Sequence, residues 1–460
     1  MALRLHQWFA TAQRLDIPRL EVDGVWQSFG RAGLVLCLSL GLPLLACAQV
    51  DVGSSFNPVG SGARAMGEGN AFIAVADDAT AASWNPAGLG QLERPEFSVA
   101  VDYWNHRGEI DAPSHPESQG SSVLHGSDLN YWSVAYPFDL FGRNVVFSLN
   151  YLKLYDMGQS LPYSVDYSGG GLDVYTQNNI SKQGSLSALA PALAVNVTDQ
   201  LSLGLTFNIW NDDITHSSSY QSYQRDLSTY TFDPDVQHDV STWQDEYTVT
   251  HGYSLAAGAL YKMDKCWTVG AVVKPPFTLN MKHTTVLTDQ QYGDWGPIPL
   301  SRDFEKFDDQ LHMPLQVGAG VAMRPSDPLT LSMDVTWTQW STFAMHQGGV
   351  TYNPLNFTQL QDARCQDTYT VRTGAEYILP FDSCQVPLRC GLGYDPGPAV
   401  GQVDEFYTGS LGVGIQWSRY ALDAAYELRF GHDVNGAMLT NVGAQDVIQQ
   451  RAMLSLIVYL

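Results

Sequence analysis

From Leu201 to Ile209 every odd position is apolar and every even one is small or polar. A period of two marks a strand with one apolar face. The pattern returns in Leu329 to Trp337, in Leu411 to Trp417 and in Tyr420 to Phe430. In the last of these, Asp423, Glu427 and Arg429 share a face with Ala421 and Ala425, while Leu422, Tyr426, Leu428 and Phe430 share the other. Beyond residue 48 no apolar run approaches the roughly 20 residues of a spanning helix. A chain so built enters a membrane only as strands closed into a barrel, with charges toward a wet lumen and apolar side chains toward lipid.

Segments of this kind fall at 95–104, 129–137, 144–155, 185–197, 201–212, 251–262, 266–274, 312–323, 329–338, 369–378, 387–395, 408–417, 420–430 and 451–460. The gaps between them alternate long and short. Short ones lie at 137–144, 197–201, 262–266, 323–329, 379–386 and 417–420, and long ones begin at Asn105, Asp156, Asp213, Pro275, Gln339, Pro396 and Gly431. Outer-membrane barrels have this asymmetry, with tight periplasmic turns and long outer loops. The expected fold is all-β, a 14-stranded antiparallel transmembrane barrel of residues 93–460. An even strand number returns the C-terminus to the side where the chain starts. Tyr103, Trp104, Tyr131, Trp132, Tyr136, Trp210, Trp337, Trp340 and Trp417 fall near strand ends, where interfacial girdles belong. A soluble propeller would repeat in blocks of four strands, and no such repeat is present.

The one long apolar run, Ala32 to Ala48, follows Arg31 and closes on Ala46-Cys47-Ala48, the small-x-small pattern of a cleaved export signal. Residues 1–48 are therefore read as an N-terminal extension and signal peptide, with a start codon set too far upstream accounting for the first thirty residues. Their removal takes four basic and three acidic residues and moves the net charge from -23 to -24. So acidic a chain, without Lys and Arg clusters, excludes nucleic acid as a partner. Cys266, Cys365, Cys384 and Cys390 remain, with no CxxC among them; Cys384 and Cys390 either bridge or stay as thiols.

Between signal and first strand lies Asn57 to Leu89, rich in Ala and Gly and without a long apolar stripe. It can lie close against other backbone but needs a socket. Gly62-Ala63-Arg64-Ala65-Met66-Gly67-Glu68-Gly69-Asn70-Ala71-Phe72, Ala76-Asp77-Asp78-Ala79-Thr80 and Trp84-Asn85-Pro86-Ala87-Gly88-Leu89 resemble the N-terminal region of the long-chain fatty-acid transporter (FadL/TodX) family of outer-membrane proteins. The resemblance extends to His312-Met313-Pro314-Leu315-Gln316-Val317-Gly318 and to Trp337-Thr338-Gln339-Trp340-Ser341. It implies that residues 49–92 form a hatch inside the barrel, with Gly67, Gly69, Asp77, Asp78, Asn85, Pro86 and Ala87 as its motif residues. It implies passive uptake of long-chain fatty acids, hydrocarbons or aromatics, or, as the alternative, a barrel that anchors a secretion or assembly system.

Two departures from that family stand out. The strand 144–155 has no Gly or Pro to kink it and open a lateral route, Pro191 being the nearest breaker, and the chain ends Val458-Tyr459-Leu460. Tyr459 is then expected to serve the barrel assembly machinery one position early. The apolar loop from Pro275 to Leu311, with Phe277, Leu279, Met281 and Trp295, is the candidate ligand access groove. Neither G-x-S-x-G nor H-E-x-x-H occurs, so no enzyme, catalytic residue or cofactor is expected. The acidic runs Asp233, Asp235, Asp239 and Asp303, Glu305, Asp308, Asp309 read as solvated loop faces, with Ca²⁺ binding by their carboxylates as the alternative, and no metal site is assigned. The expected partners are a hydrophobic small molecule, outer-membrane lipid and the assembly machinery, with the chain itself a monomer.

Overall fold

The structure is a computed structural model that describes residues 60–460 apart from 114, 170, 233–234, 294–297, 356–357, 364, 400, 402 and 435–442. The signal expected at residues 1–48, the first part of the hatch and Trp295 lie outside the described residues. Among the described residues twenty strands follow one another: β1 (Glu96–Asp111), β2 (Gly120–Leu140), β3 (Arg143–Asp156), β4 (Gln159–Gly169), β5 (Leu172–Asn196), β6 (Leu201–Trp210), β7 (Ser219–Phe232), β8 (Asp235–Lys262), β9 (Trp267–Lys274), β10 (Phe277–Gly293), β11 (Ile298–Met313), β12 (Gln316–Ser326), β13 (Leu329–Thr338), β14 (Ala344–Gln347), β15 (Val350–Tyr352), β16 (Thr368–Pro380), β17 (Gln385–Tyr394), β18 (Phe406–Gln416), β19 (Tyr420–Val434) and β20 (Ala444–Tyr459).

Fourteen of these form the wall. β1, β2, β3, β5, β6, β8, β9, β12, β13, β16, β17, β18, β19 and β20 pair in that order, each antiparallel to the next. β20 then returns to β1, from Glu96 opposite Tyr459 to Asp111 opposite Ala444, so no edge is left open to lipid. Alternation fixes which face is which: on β19 Asp423 and Arg429 are buried inward while Leu422, Tyr426 and Phe430 are exposed outward. No helix of the described residues is long and apolar enough to cross a membrane.

The segments expected as long loops are themselves largely strands. β4 pairs with β5, β7 bridges β5 and β8, the β10 and β11 hairpin lies beside β8, and β14 with β15 hangs on β11. Their period-two pattern is blurred because both faces meet water or polar neighbours above the bilayer. The aromatic girdle also needs correction. Tyr103, Tyr136 and Trp417 are exposed outward, but Trp104, Tyr131, Trp210 and Trp340 are buried on the inside. Tyr459 likewise is not the outward terminal aromatic: its ring lies beneath Arg94, 3.7 Å from the guanidinium, and its hydroxyl meets Gln416, while Leu460 is exposed. Parity decides this, since Ile457 beside it on the same face is buried. Cys384 and Cys390 are free thiols, six positions apart along one hairpin arm and so too far from each other to bridge.

Candidate functional site

Residues 60–92 thread the lumen at the height of the short turns. They form helix α1 (Ala63–Gly67), helix α2 (Ala81–Trp84) and a 3₁₀ turn (Pro86–Gln91), nearly all buried. What makes room is a ring of glycines on the inward face of successive strands. A Cβ on Gly204 of β6 would lie 2.2 Å from the Pro86 carbonyl carbon, one on Gly258 of β8 2.0 Å from Asn85 Oδ1, and one on Gly270 of β9 2.5 Å from Ile73 O. The ring continues with Gly320 of β12 against Ile73, Gly374 of β16 against Glu68 O, Gly391 of β17 against Gly69 and Gly412 of β18 against Gly67. Several are cross-strand partners: Gly204 of Gly258, Gly270 of Gly320, Gly374 of Gly391. The remaining arc is lined by Ala100 of β1, Ala135 of β2, Ala192 and Ala194 of β5 and Ala425 of β19.

The motif residues sit at the contacts of this socket. Asn85 Nδ2 donates to Ile73 O at 2.8 Å and to Ala259 O of the wall at 3.1 Å, while its Oδ1 accepts from Ala87 N at 3.2 Å. Pro86 and Ala87 are fully buried behind it, Pro86 giving no donor where none could be met. Gly67 lies flat on Gly412, and Gly69 takes a φ of 65° with its N–H donating to Ser410 Oγ at 3.0 Å. Asp78 accepts from Thr80 N at 2.8 Å and so holds the start of α2, and Asp77 pairs with Arg64.

Arg64, which the sequence reading did not single out, is the hub. Besides Asp77 it meets Glu376 of β16 at 3.3 Å, Glu68 at 3.5 Å and Asp78 at 3.6 Å. Burial opposes its charge, yet these four carboxylates hold the guanidinium charged well above its ordinary range. Arg389 of β17 completes the cluster with Glu376 at 2.7 Å and Asp423 at 2.5 Å. Burial first, then Glu376 beside it, pushes the Glu68 carboxyl up to about 8. Ile73 N donates to Asp334 of β13 at 2.8 Å and Asn70 Nδ2 to Glu427 at 2.8 Å.

The lumen above the segment is two-sided. From β13 round to β1 the inward face carries Asp334, Arg372, Glu376, Arg389, Asp423, Glu427, Arg429, Arg451 and Asp102, tied in pairs such as Arg372 with Asp395 at 3.1 Å and Arg451 with Asp102 at 3.4 Å. The opposite arc rises into an apolar cluster of Tyr155, Leu186, Trp210, Tyr220, Tyr247, Leu279, Met281, Leu311, Trp340, Phe343 and Met345. The described residues of the expected access groove lie in or against this cluster. Leu279 and Met281 are fully buried in that cluster and Phe277 is half-buried against it, because β10 continues the wall upward from β8 and alternation turns them inward.

Between cluster and N-terminal segment stand two small cavities. One of about 30 Å³ is lined by Leu152, Leu154, Tyr155, Trp210, Ala256 and Phe277, the other of about 80 Å³ by Thr336, Thr338, Thr368, Thr370, Arg372 and Trp84. Lys274 and Gln316 line both. The Lys274 ammonium donates to Ser83 O at 3.3 Å and has no carboxylate within ion-pair distance among the described residues. The seam between β2 and β3 also differs from expectation. Its ladder ends at Tyr131 opposite Leu152, and β3 carries a bulge between Lys153 and Tyr155 that needs neither Gly nor Pro. Beyond that point an outward recess of about 340 Å³ opens, lined by Leu129, Trp132, Tyr151, Leu189 and Ile214, with Lys153 bonded across the seam to Asp128 at 2.6 Å.

A closed fourteen-stranded barrel with an internal N-terminal segment and an apolar chamber above it defines a transport barrel of the outer membrane. The family described as Outer membrane protein transport protein (OMPP1/FadL/TodX) matches residues 54–442, and the chain belongs to it. Among solved structures it is similar to a Pseudomonas aeruginosa FadL homologue, with TM-score 0.58 and 16% identity over 88% of this chain and 100% of that one. The Pseudomonas putida toluene transporter TodX gives 0.55 and 12% over 88% and 100%, and the Ralstonia pickettii toluene transporter TbuX gives 0.51 and 14% over 87% and 98%. No curated protein matches. The family is one of outer-membrane channels for hydrophobic compounds, and this chain is an outer-membrane protein.

Proposed function

We propose that the protein takes up long-chain hydrophobic acids passively across the outer membrane. Residues 1–48 direct export and are removed, 49–92 form the hatch, and 93–460 the barrel. A molecule collects in the apolar cluster, settles with its chain beside Trp210 and Phe277, and presents its head to Lys274. The observation that carries this reading is Lys274 itself: a lumen cation at the wall between an apolar and a hydroxyl-lined cavity, held by a carbonyl with no carboxylate partner among the described residues, and acted on by a second cation, Arg372. Such a group favours an anionic head over a hydrocarbon end. Release follows when the hatch shifts, and the side route past the β2 and β3 seam is favoured by the early end of their ladder. A scaffold for secretion machinery gives no reason for a lined chamber.

The test is binding and uptake of labelled palmitate against hexadecane by cells carrying the native chain or Lys274→Met. A charge-assisted hydrogen bond is worth about 1.5–3 kcal/mol, so the variant should lose at least tenfold in affinity for palmitate and little for hexadecane. Equal losses for both, or none, would refute the head-group role. Absence of uptake of either molecule by the native chain, with insertion shown, would refute transport.

A further inference from the structure

The apolar cluster is closed from outside by the chain's own side chains. Between β13 and the rest of the wall, the segment Trp340–Leu355 turns inward and buries Trp340, Phe343, Met345 and Leu355 among Leu279, Met281 and Leu311 of the β10 and β11 hairpin. Its ladder to the wall is short for so much buried surface. β14 pairs with β11 only from Gln310 to His312, and β14 and β15 are joined by Gly348-Gly349, both at positive φ (58° and 85°) with open space around them. By contrast, β11 and β10 pair from Phe277 opposite Met313 nearly to their tips.

A polar pin helps to hold the hairpin down. Gln347 Nε2 lies 3.1 Å from Asp309 Oδ2 and 2.8 Å from His283 Nδ1, and His283 is itself set between Asp309 at 3.0 Å and Asp245 at 3.0 Å. Below the pin, Phe343 and Met345 occupy the cluster as an apolar ligand would. Their removal would open the cluster directly to the outside, above the cavity beside Lys274.

We propose that Trp340–Leu355 is a lid whose apolar side chains fill the outer binding site, and that an incoming aliphatic or aromatic molecule displaces them to enter. This rests on the uptake reading above and names how its site is guarded. The lid lifts as a hairpin, hinging near Gln339 and sliding off β11, while β13 and β16 remain in the wall. Exchange of one set of apolar contacts for another keeps the cluster dry throughout.

Gln310 and His346 are cross-strand partners on β11 and β14, so cysteines there should bridge and lock the lid. The test uses the full-length barrel carrying Gln310→Cys and His346→Cys with its four native cysteines replaced by alanine. Rates of palmitate and hexadecane binding are compared between oxidised and reduced protein, with uptake by cells as the second readout. Oxidation should slow binding of both at least tenfold and reductant should restore it; Phe343→Ala should bind faster than the native chain. Equal rates in the two redox states, with the bridge confirmed by mass spectrometry, would overturn the lid. Binding gated by the bridge but without cellular uptake would overturn transport and leave the lid standing, whereas absence of binding by the reduced protein would overturn both.

Discussion

Placing a methyl group on the glycine ring should unseat the N-terminal segment while sparing the barrel. At Gly258 the new Cβ would stand 2.0 Å from Asn85 Oδ1, and at Gly204 it would stand 2.2 Å from Pro86 C and 2.3 Å from Pro86 O. The second neighbour is backbone and cannot rotate aside. Overlap of this size costs about 1–3 kcal/mol. Moving Asn85 away also forfeits its bonds to Ile73 O, Ala259 O and Ala87 N, each worth about 0.5–1.5 kcal/mol. Together the loss is about 2.5–7.5 kcal/mol, a shift of roughly two to five orders of magnitude toward an unseated segment. The outward faces of β6 and β8 are untouched, so assembly should survive. Gly204→Val and Gly258→Ala should therefore raise single-channel conductance in planar bilayers and expose residues 60–92 to protease, with unchanged heat-modifiable migration. Gly409→Ala, whose Cβ would meet nothing nearer than Leu392 Cδ2 at 4.0 Å, is the control and should behave as the native chain. Native conductance and protection in both ring variants would refute the socket.

Other consequences follow from the same contacts. Glu68, with its carboxyl at about 8 when seated against 4.5 when free, keeps its proton more firmly in the socket, so its own contribution to seating is full below pH 4.5 and is lost as pH rises through 8. Glu68→Gln should flatten the pH dependence of protease protection of residues 60–92; an unchanged slope would exclude Glu68 as its source. His283 is disfavoured as a cation by burial, yet Asp245 and Asp309 raise it above the ordinary imidazole value. Its contribution is thus full below pH 6.5 and lost as pH rises through the raised value, and hydrogen exchange of residues 281–285, corrected for intrinsic rates, should quicken over that range but not in His283→Phe. Lys153→Met leaves Asp156 with Arg451 at 3.6 Å and should cost about 1.5–3 kcal/mol in the unfolding free energy read from denaturant titration, with Lys153→Met/Asp156→Asn recovering part of it.

The wall was legible in the sequence because one face of each spanning strand meets lipid and the other water, and that contrast writes period two into residues such as Leu411 to Trp417. β13 falls where the alternation places it, Leu329–Thr338. Above the bilayer the contrast fades: β7, with Ser219, Gln221, Ser222, Thr229 and Thr231, is polar on both faces and carries no such signal. The socket was missed for a different reason. Gly204, Gly258, Gly270, Gly320, Gly374, Gly391 and Gly412 each pass as the small residue of an alternating strand, and only their common height reveals a ring. That height is a property of registers, which a single chain does not state, although the inward glycine in Leu203-Gly204-Leu205 and again in Leu411-Gly412-Val413 is the signal to align. Buried aromatics were misplaced because Trp210 and Trp340 lie at strand ends, as girdle residues do, and only parity separates the two.

The division of the lumen explains why a polar barrel can pass an apolar molecule. Charges from β13 round to β1 are nearly all matched, as in Arg389 with Glu376 and Asp423, so that arc presents fixed pairs with little to offer a ligand. Its pairs also clamp Arg64 and Asn70 and so hold the N-terminal segment from one side. The facing arc binds the same segment mainly through backbone against glycine and through side-chain donors to its carbonyls, such as Lys274 to Ser83 O and Asn196 to Gly90 O, and makes no ion pair with it among the described residues. A force on the segment from the apolar side meets steric walls, whereas a change on the charged side releases ion pairs one at a time. The segment should consequently pivot about Asn85 and Pro86, where backbone packs flat on Gly204 and Asn85 bonds the wall, with Arg64 moving first. Arg64→Ala should then loosen residues 60–75 in hydrogen exchange before residues 80–92, and simultaneous loosening of both would refute a pivot.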